Sequence, residues 1–329
     1  MTPVIAEPVL DALGAPRAAT GLRRSSLFAL LGMVMLVGTA SVVAGIFVPF
    51  ISPALGLACA LGVPTVLLFG ALGGLGPAER LGVSVTLSVL ALIATGLVAN
   101  TVLPHLGARG PLGEVDVLLT TSVLCAAMGV VTWHRHPRRY RSCRIRLEAL
   151  DWRLGVLSAA LVPMAAVGAV RLNNGLGGGV TLLMLGLAVL DMALLVGLCR
   201  RLRPGVIPWS IYCISLALLL MTSLRGWYTT GHDIHPETRV FLLTLSNSSW
   251  NMSRLQDAYN ACMSITVLPT MLWQWMRMDP AYIYKVVFQL LFALCPVLVY
   301  RLSMRFTDRR ISLLATYTTS RMGRWSLAS

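Results

Sequence analysis

Lysine is almost absent from this sequence: of its 27 basic residues only Lys285 is not arginine. Charge of any kind is scarce, at 12% of 329 residues, while 56% are hydrophobic and the mean hydropathy is +0.75. Soluble domains run nearer about 45–50% apolar, so a soluble globular chain is excluded. The apolar runs also lack the in–out alternation of barrel strands, which excludes a closed β-barrel and leaves helices as the membrane-crossing element. The seven cysteines show no CxxC spacing. Most fall in or beside apolar runs and Cys262 stands alone in a long polar stretch, so neither a disulfide framework nor a zinc site is indicated. The net charge of +14 would suggest nucleic acid in a soluble protein. Here the arginines cluster in short loops, where the positive-inside rule accounts for them. The partner they imply is the lipid bilayer.

Several runs exceed about 18 residues with almost no charge, the length an α-helix needs to cross a hydrocarbon core. The pattern predicts an all-α, polytopic membrane protein of about eight spans: Leu27–Val48, Ala54–Leu75, Leu81–Leu103, Val117–Trp133, Leu154–Val170, Val180–Cys199, Val206–Leu224 and Tyr282–Leu302. The start is too polar, and too long before its apolar run, for a cleaved signal peptide, so residues 1–26 read as a cytoplasmic tail. The loop after span four carries Arg135, Arg138, Arg139, Arg141, Arg144, Arg146 and Arg153. Seven arginines in one short loop are costly to translocate, which places that loop, and both chain ends, in the cytoplasm. The alternation then puts residues 225–281 on the extracytoplasmic side of a cell membrane. Residues 27–203 form a six-helix amino-terminal region, 204–310 a second region of two helices and the long loop, and 311–329 a short carboxy-terminal tail.

Asp191 lies near the middle of span six. A lone carboxyl there costs about 2.5–3.5 kcal/mol on insertion scales. It is either a proton or ion site, or a protonated group hydrogen-bonded to a neighbouring helix. No second ionisable residue shares the mid-span region, which favours the second.

The long loop opens with RGWYTTGHDIHPE, where His232, Asp233, His235 and Glu237 fall within six positions. Asp233 at a membrane boundary is placed to take a proton from a hydroxyl group, and solvated surface charge is the alternative. A divalent metal is also conceivable from the ligand types, but the histidines are three apart with Pro236 holding His235 extended, which does not suit a helical pair. Leu255, Tyr259 and Met263 recur at i, i+4, i+8, predicting an amphipathic helix within 251–266 on the membrane surface. Trp227, Tyr228, Trp250, Trp273 and Trp275 read as an interfacial aromatic belt.

Span seven with SLRGWYTTGHDIHPE, followed by DAYNACMSITVLPTML and YIYKVVFQLLFALCPVLVYRL, resembles a family of uncharacterised prokaryotic multi-pass membrane proteins. That family is similar to the GT-C glycosyltransferases, which include protein mannosyltransferases and aminoarabinose transferases. The resemblance covers roughly residues 208–310. It implies an inverting sugar transfer from a polyprenyl-phosphate donor. Asp233 would be the catalytic acidic residue and Glu237 the second choice, with His232, His235, Arg225, Arg239 and Arg254 candidates for substrate contact. GT-C cores carry more spans after this loop, so the sequence also predicts an amino-terminal portion that a partner would complete. A non-enzymatic membrane protein, either a transporter fragment or an assembly or structural subunit, is the competing class. A transporter would call for paired mid-membrane ionisable residues, and Asp191 stands alone.

Overall fold

A computed structural model describes residues 24–72, 74–135, 148–226, 228 and 233–322. It is 77% helix, with no strand among the described residues, and eight of its helices are long and apolar enough to cross a membrane. These are α1 (Ser25–Val43), α2 (Ile51–Ala71), α3 (Pro77–Leu106), α4 (Glu114–Arg135), α5 (Ala149–Asn173), α6 (Gly179–Leu198), α7 (Val206–Ser223) and α10 (Ile283–Ser303). Three shorter helices complete the set: α8 (Ile234–Asn247) and α9 (Val267–Met276) between α7 and α10, and α11 (Arg309–Met322) after α10. The chain is an all-α polytopic membrane protein. The spans are apolar on every side, and residues such as Leu36 and Leu182 point away from the protein, as lipid permits and water does not. Each predicted span coincides with an observed helix to within a few residues at either end.

The helices pack as two clusters. In one, α7 lies against α5, α5 against α6, and Tyr300 of α10 and Leu313 of α11 close the group. Asp191 of α6 is completely buried here and accepts a 2.6 Å hydrogen bond from Ser158 of α5, whose hydroxyl is 2.7 Å from that of Ser210 on α7. One polar node therefore ties three spans together, the hydrogen-bonded arrangement that the lone mid-span carboxyl suggested.

The second cluster is organised around α9, which packs on α2, α3, α4 and α8. Nine of its ten residues are buried. In lipid, the gain from such packing is close contact rather than escape from water, and small residues make the contact possible. A Cβ added at Gly56 of α2 would lie 2.3 Å from the Trp275 carbonyl oxygen, and one at Gly96 of α3 would lie 2.5 Å from Val267 Cγ1. Two spans widen by a π turn where α9 meets them, α2 at Ala58–Gly62 and α10 at Ile283–Val287. Two polar groups on α9 are hydrogen-bonded, Thr270 donating to the Thr266 carbonyl at 2.8 Å and Gln274 to the Leu112 carbonyl at 2.9 Å, while the buried Trp275 indole N–H has no partner among the described residues. Past its end Arg277 takes a left-handed conformation (φ 53°) and pairs with Glu114 at the start of α4. Burial pulls the Arg277 pKa down.

Three expectations for the loop are corrected. Residues 251–266 form a short 3-10 turn at Met252–Arg254 and then irregular turns, not an amphipathic helix. The loop's amphipathic helix is α8, which buries Val240, Phe241 and Thr244 and exposes His235, Arg239, Leu242 and Ser246. His235 is helical, because Pro236 falls in the first turn of α8, where a missing N–H costs nothing. Within the aromatic belt the reading of Trp275 is overturned, since it is 1% exposed inside the protein, while Trp250 and Trp273 are half-buried and donate to the Asn260 and Met278 carbonyls. Tyr228 is 83% exposed, and Trp227 lies outside the described residues.

The two ends of the bundle are locked differently. At the basic end Arg305 makes a two-pronged pair with Glu79, Arg309 donates to the Cys199 and Leu202 carbonyls, and Arg203 pairs with Glu148 and Asp151. Most of the arginine-rich stretch between α4 and α5 (residues 136–147) lies outside the described residues. At the loop end Asn100 of α3 holds the Trp250 backbone by both of its groups, accepting from the N–H at 2.8 Å and donating to the carbonyl at 2.9 Å. The Leu112 N–H donates to the Ser248 carbonyl at 2.8 Å.

Candidate functional site

The site gathers where α8 begins. Asp233 immediately precedes α8 but does not use its carboxylate to cap it. The carboxylate instead accepts a 3.0 Å hydrogen bond from the Tyr259 hydroxyl, supplied by the irregular stretch ahead of α9. That stretch is itself fixed by Asn260, which donates to the Asn251 and Leu255 carbonyls. The hydrogen bond to Asp233, with the charges of Asp233, Glu237 and Asp257 around it, pushes the Tyr259 phenol above its ordinary range. Tyr259 is therefore a fixed hydrogen-bond donor that keeps its proton, and Asp233 is an exposed acceptor with a defined orientation.

Glu237 stands one turn into α8 and is half-buried. Partial burial first, and the charge of Asp233 second, raise its carboxyl above the usual range. Glu237 therefore holds its proton to higher pH than a free glutamate does.

The head of α10 pins both ends of the segment that carries these groups. Tyr284 places its hydroxyl 3.0 Å from the Ile265 carbonyl and 3.4 Å from that of Glu237. Its neighbour Lys285, 6% exposed, donates to the Gly226 carbonyl at 2.7 Å, and Ser223 donates to the Lys285 carbonyl at 2.7 Å. Both residues sit on the π turn Ile283–Val287, a distortion that proteins concentrate at functional sites. Sequence reasoning placed Tyr259 on an apolar helix face, noted Lys285 only as the single lysine and did not single out Tyr284. The one available signal was a solitary lysine in a chain whose other cations are all arginine.

Of the predicted arginines, the structure brings two together. Arg239 of α8 and Arg254 line a cleft of about 480 Å³ with Leu242, Leu243, Leu245, Ser246 and Leu255. Its floor is apolar and its two charges are positive. Asp233 and Arg239 are six residues apart, or about 9 Å along a helix axis. Arg225 is exposed at the end of α7 and does not line the cleft. His235 is exposed on the same side of α8 as Arg239, and His232 lies outside the described residues. Among the described residues no group of three His, Cys, Asp or Glu side chains is placed to hold a metal ion.

The arrangement comprises a fixed carboxylate, a second carboxyl biased toward its acid form and, further along α8, a cationic cleft lined with leucine. It can accept a proton from a hydroxyl group and hold an anion that carries a hydrocarbon tail. No known protein family matches this chain, and no curated protein or solved structure matches it.

Proposed function

We propose that this chain carries the reactive loop of a GT-C-like membrane glycosyltransferase, which moves a sugar from a polyprenyl-phosphate donor to an acceptor on the extracytoplasmic side. The observations that support this reading are the Tyr259-held Asp233 carboxylate at the start of α8 and the cleft that Arg239 of the same helix lines together with Arg254. In this account Asp233 takes the proton of the acceptor hydroxyl as its oxygen attacks the anomeric carbon. The bond from that carbon to the phosphate oxygen breaks, and polyprenyl phosphate leaves as the anion. Arg239 and Arg254 neutralise the charge that develops on the phosphate, while the leucines lie along the first isoprene units. Glu237 is the second carboxylate, and His235 sits beside the cleft to contact the sugar or acceptor. The orientation rests on the seven arginines from Arg135 at the end of α4 to Arg153 at the start of α5, which the positive-inside rule keeps in the cytoplasm.

The test supplies the further core helices from a full-length GT-C enzyme, reconstitutes the completed protein in vesicles with a labelled polyprenyl-phosphate hexose and follows transfer to an acceptor in the lumen-equivalent compartment. Replacing both Arg239 and Arg254 by alanine removes two charge-assisted contacts, each of about 1.5–3 kcal/mol. The donor KM is expected to rise by at least about tenfold. Wild-type protein that transfers no sugar from any such donor, or a double variant with unchanged KM, contradicts the reading.

A further inference from the structure

A second cleft of about 480 Å³ lies at the opposite end of the bundle from Asp233, between α1, α2 and α4. Its walls are Phe28, Leu31, Gly32 and Met35 of α1, Val63 and Leu67 of α2, and the α4 face from Ser122 through Cys125, Ala126, Gly129 and Val130 to Trp133 and His134. The α4 positions recur every three or four residues, so the cleft is a furrow along one face of the span. Residues 122–134 give it a length of about 18 Å at 1.5 Å per residue. Small residues hold it open. A Cβ at Gly32 would meet nothing within 4 Å, and one at Gly129 would meet only the Phe28 ring at 3.8 Å. The contrast with Gly56 and Gly96, where neighbours fill the space, is direct: there glycine admits another helix, and here no protein atom takes its place.

The furrow changes character along its length. Its middle is hydrocarbon, while its basic end has Trp133 packed edge-on against Phe28 at 5.2 Å, followed by His134 and Arg135, both exposed. Trp, His and Arg in succession mark the depth of the lipid headgroups. An apolar trough whose last lining residue, His134, is followed directly by the exposed Arg135 matches an amphiphile with one negative charge at its head.

We propose that this furrow is a binding site for an anionic glycerophospholipid, one acyl chain lying along Gly32 and Gly129 and the phosphate meeting Arg135 beside Trp133 and His134. The site fills the space between α1 and the rest of the second cluster, where α1 makes few contacts of its own. It is independent of the proposed sugar transfer, because none of its residues belongs to the loop.

Native mass spectrometry of the full chain, released from nanodiscs of equimolar phosphatidylglycerol and phosphatidylcholine, tests the proposal. Wild-type protein is expected to retain one phosphatidylglycerol, preferred roughly fivefold over phosphatidylcholine, the factor one basic residue supplies near an anionic headgroup. Gly32→Leu and Gly129→Leu fill the trough from two different helices without touching backbone, and each is expected to abolish retention while the protein stays monodisperse. Arg135→Gln is expected to keep one lipid but lose the preference for phosphatidylglycerol. Equal retention of the two lipids by wild type overturns the proposal, as does undiminished retention by both leucine variants in folded protein. Retention of no lipid at all overturns it too.

Discussion

Asp191 and Asp233 sit in regions built on opposite rules. Around Asp191 the spans α5, α6 and α7 are long, regular and joined by short turns, and the carboxyl is sealed in by Ser158 and Ser210. Around Asp233 the elements are short and interrupted: a 14-residue helix, a 3-10 turn, a ten-residue helix and two π turns. The carboxylate there faces solvent with a tyrosine hydroxyl on it. Irregular backbone at membrane depth is tolerated only where protein buries it or it lines a cavity, and α9 is wrapped on four sides. The first region spends its polar groups on holding helices together. The second positions polar groups that remain accessible, the disposition a reaction site needs.

Substitutions can break this contrast, and stability in nanodiscs measures them. The largest effect is expected at Gly56→Leu, where the new side chain would start 2.3 Å from the Trp275 carbonyl oxygen and 2.9 Å from the Met276 Cα. Both neighbours are backbone and cannot swing aside, so a loss of about 3 kcal/mol is expected. Gly197→Leu in α6, with nothing within 4 Å of its Cβ, should cost almost nothing. Equal thermal shifts for the two would mean that α9 is not docked as described.

Next in size is Asn100→Ala, which strips the Trp250 backbone of a donor and an acceptor at once. It should cost about 2 kcal/mol and loosen the loop, seen as faster hydrogen exchange at residues 248–262 than in α5–α7. Asp191→Asn keeps an oxygen for Ser158 to donate to, so a loss of about 1 kcal/mol or less is expected, with no effect on transfer. A large loss of activity from Asp191→Asn would move the functional carboxyl to the wrong region.

The smallest effect is expected at Glu237. Its folded-state carboxyl lies above the usual range, so the stability it contributes is fully present below the unfolded carboxylate range and is lost as pH rises through the folded value. Glu237→Gln should therefore raise the melting temperature slightly at pH 7, with the gain vanishing near pH 4. A gain that persists at low pH would point to packing rather than charge.

The spans were legible because length and lipid demand the same thing of every residue in them, and eight apolar runs gave eight helices. Segment α9 was not legible for the converse reason. VLPTMLWQWM is too short to register as a span, and its burial depends on Gly56 and Gly96, more than 150 positions earlier. The Leu255–Tyr259–Met263 spacing suggested a helix, but the side chain–backbone bonds of Asn251, Asp257 and Asn260 favour turns there instead. Asp233 and Glu237 were visible as a local concentration of charge. The partial burial that raises the Glu237 carboxyl was not, nor was the Tyr259 hydroxyl 26 positions away that holds Asp233. The convergence of Arg239 and Arg254 likewise needed the chain to turn back on α8 after Ser248.

The central claim is that Asp233 acts as a base and not merely as a surface charge. The measurement that bears on it most directly is the rate of sugar transfer by reconstituted Asp233→Asn against wild type, both checked for insertion and monodispersity. Asparagine preserves the size of the side chain and its bond from Tyr259 but cannot take a proton at neutral pH. The account predicts a fall in kcat of about 10²–10⁴-fold with little change in donor KM. An unchanged rate would contradict it and leave Asp233 as a residue that only orients Tyr259.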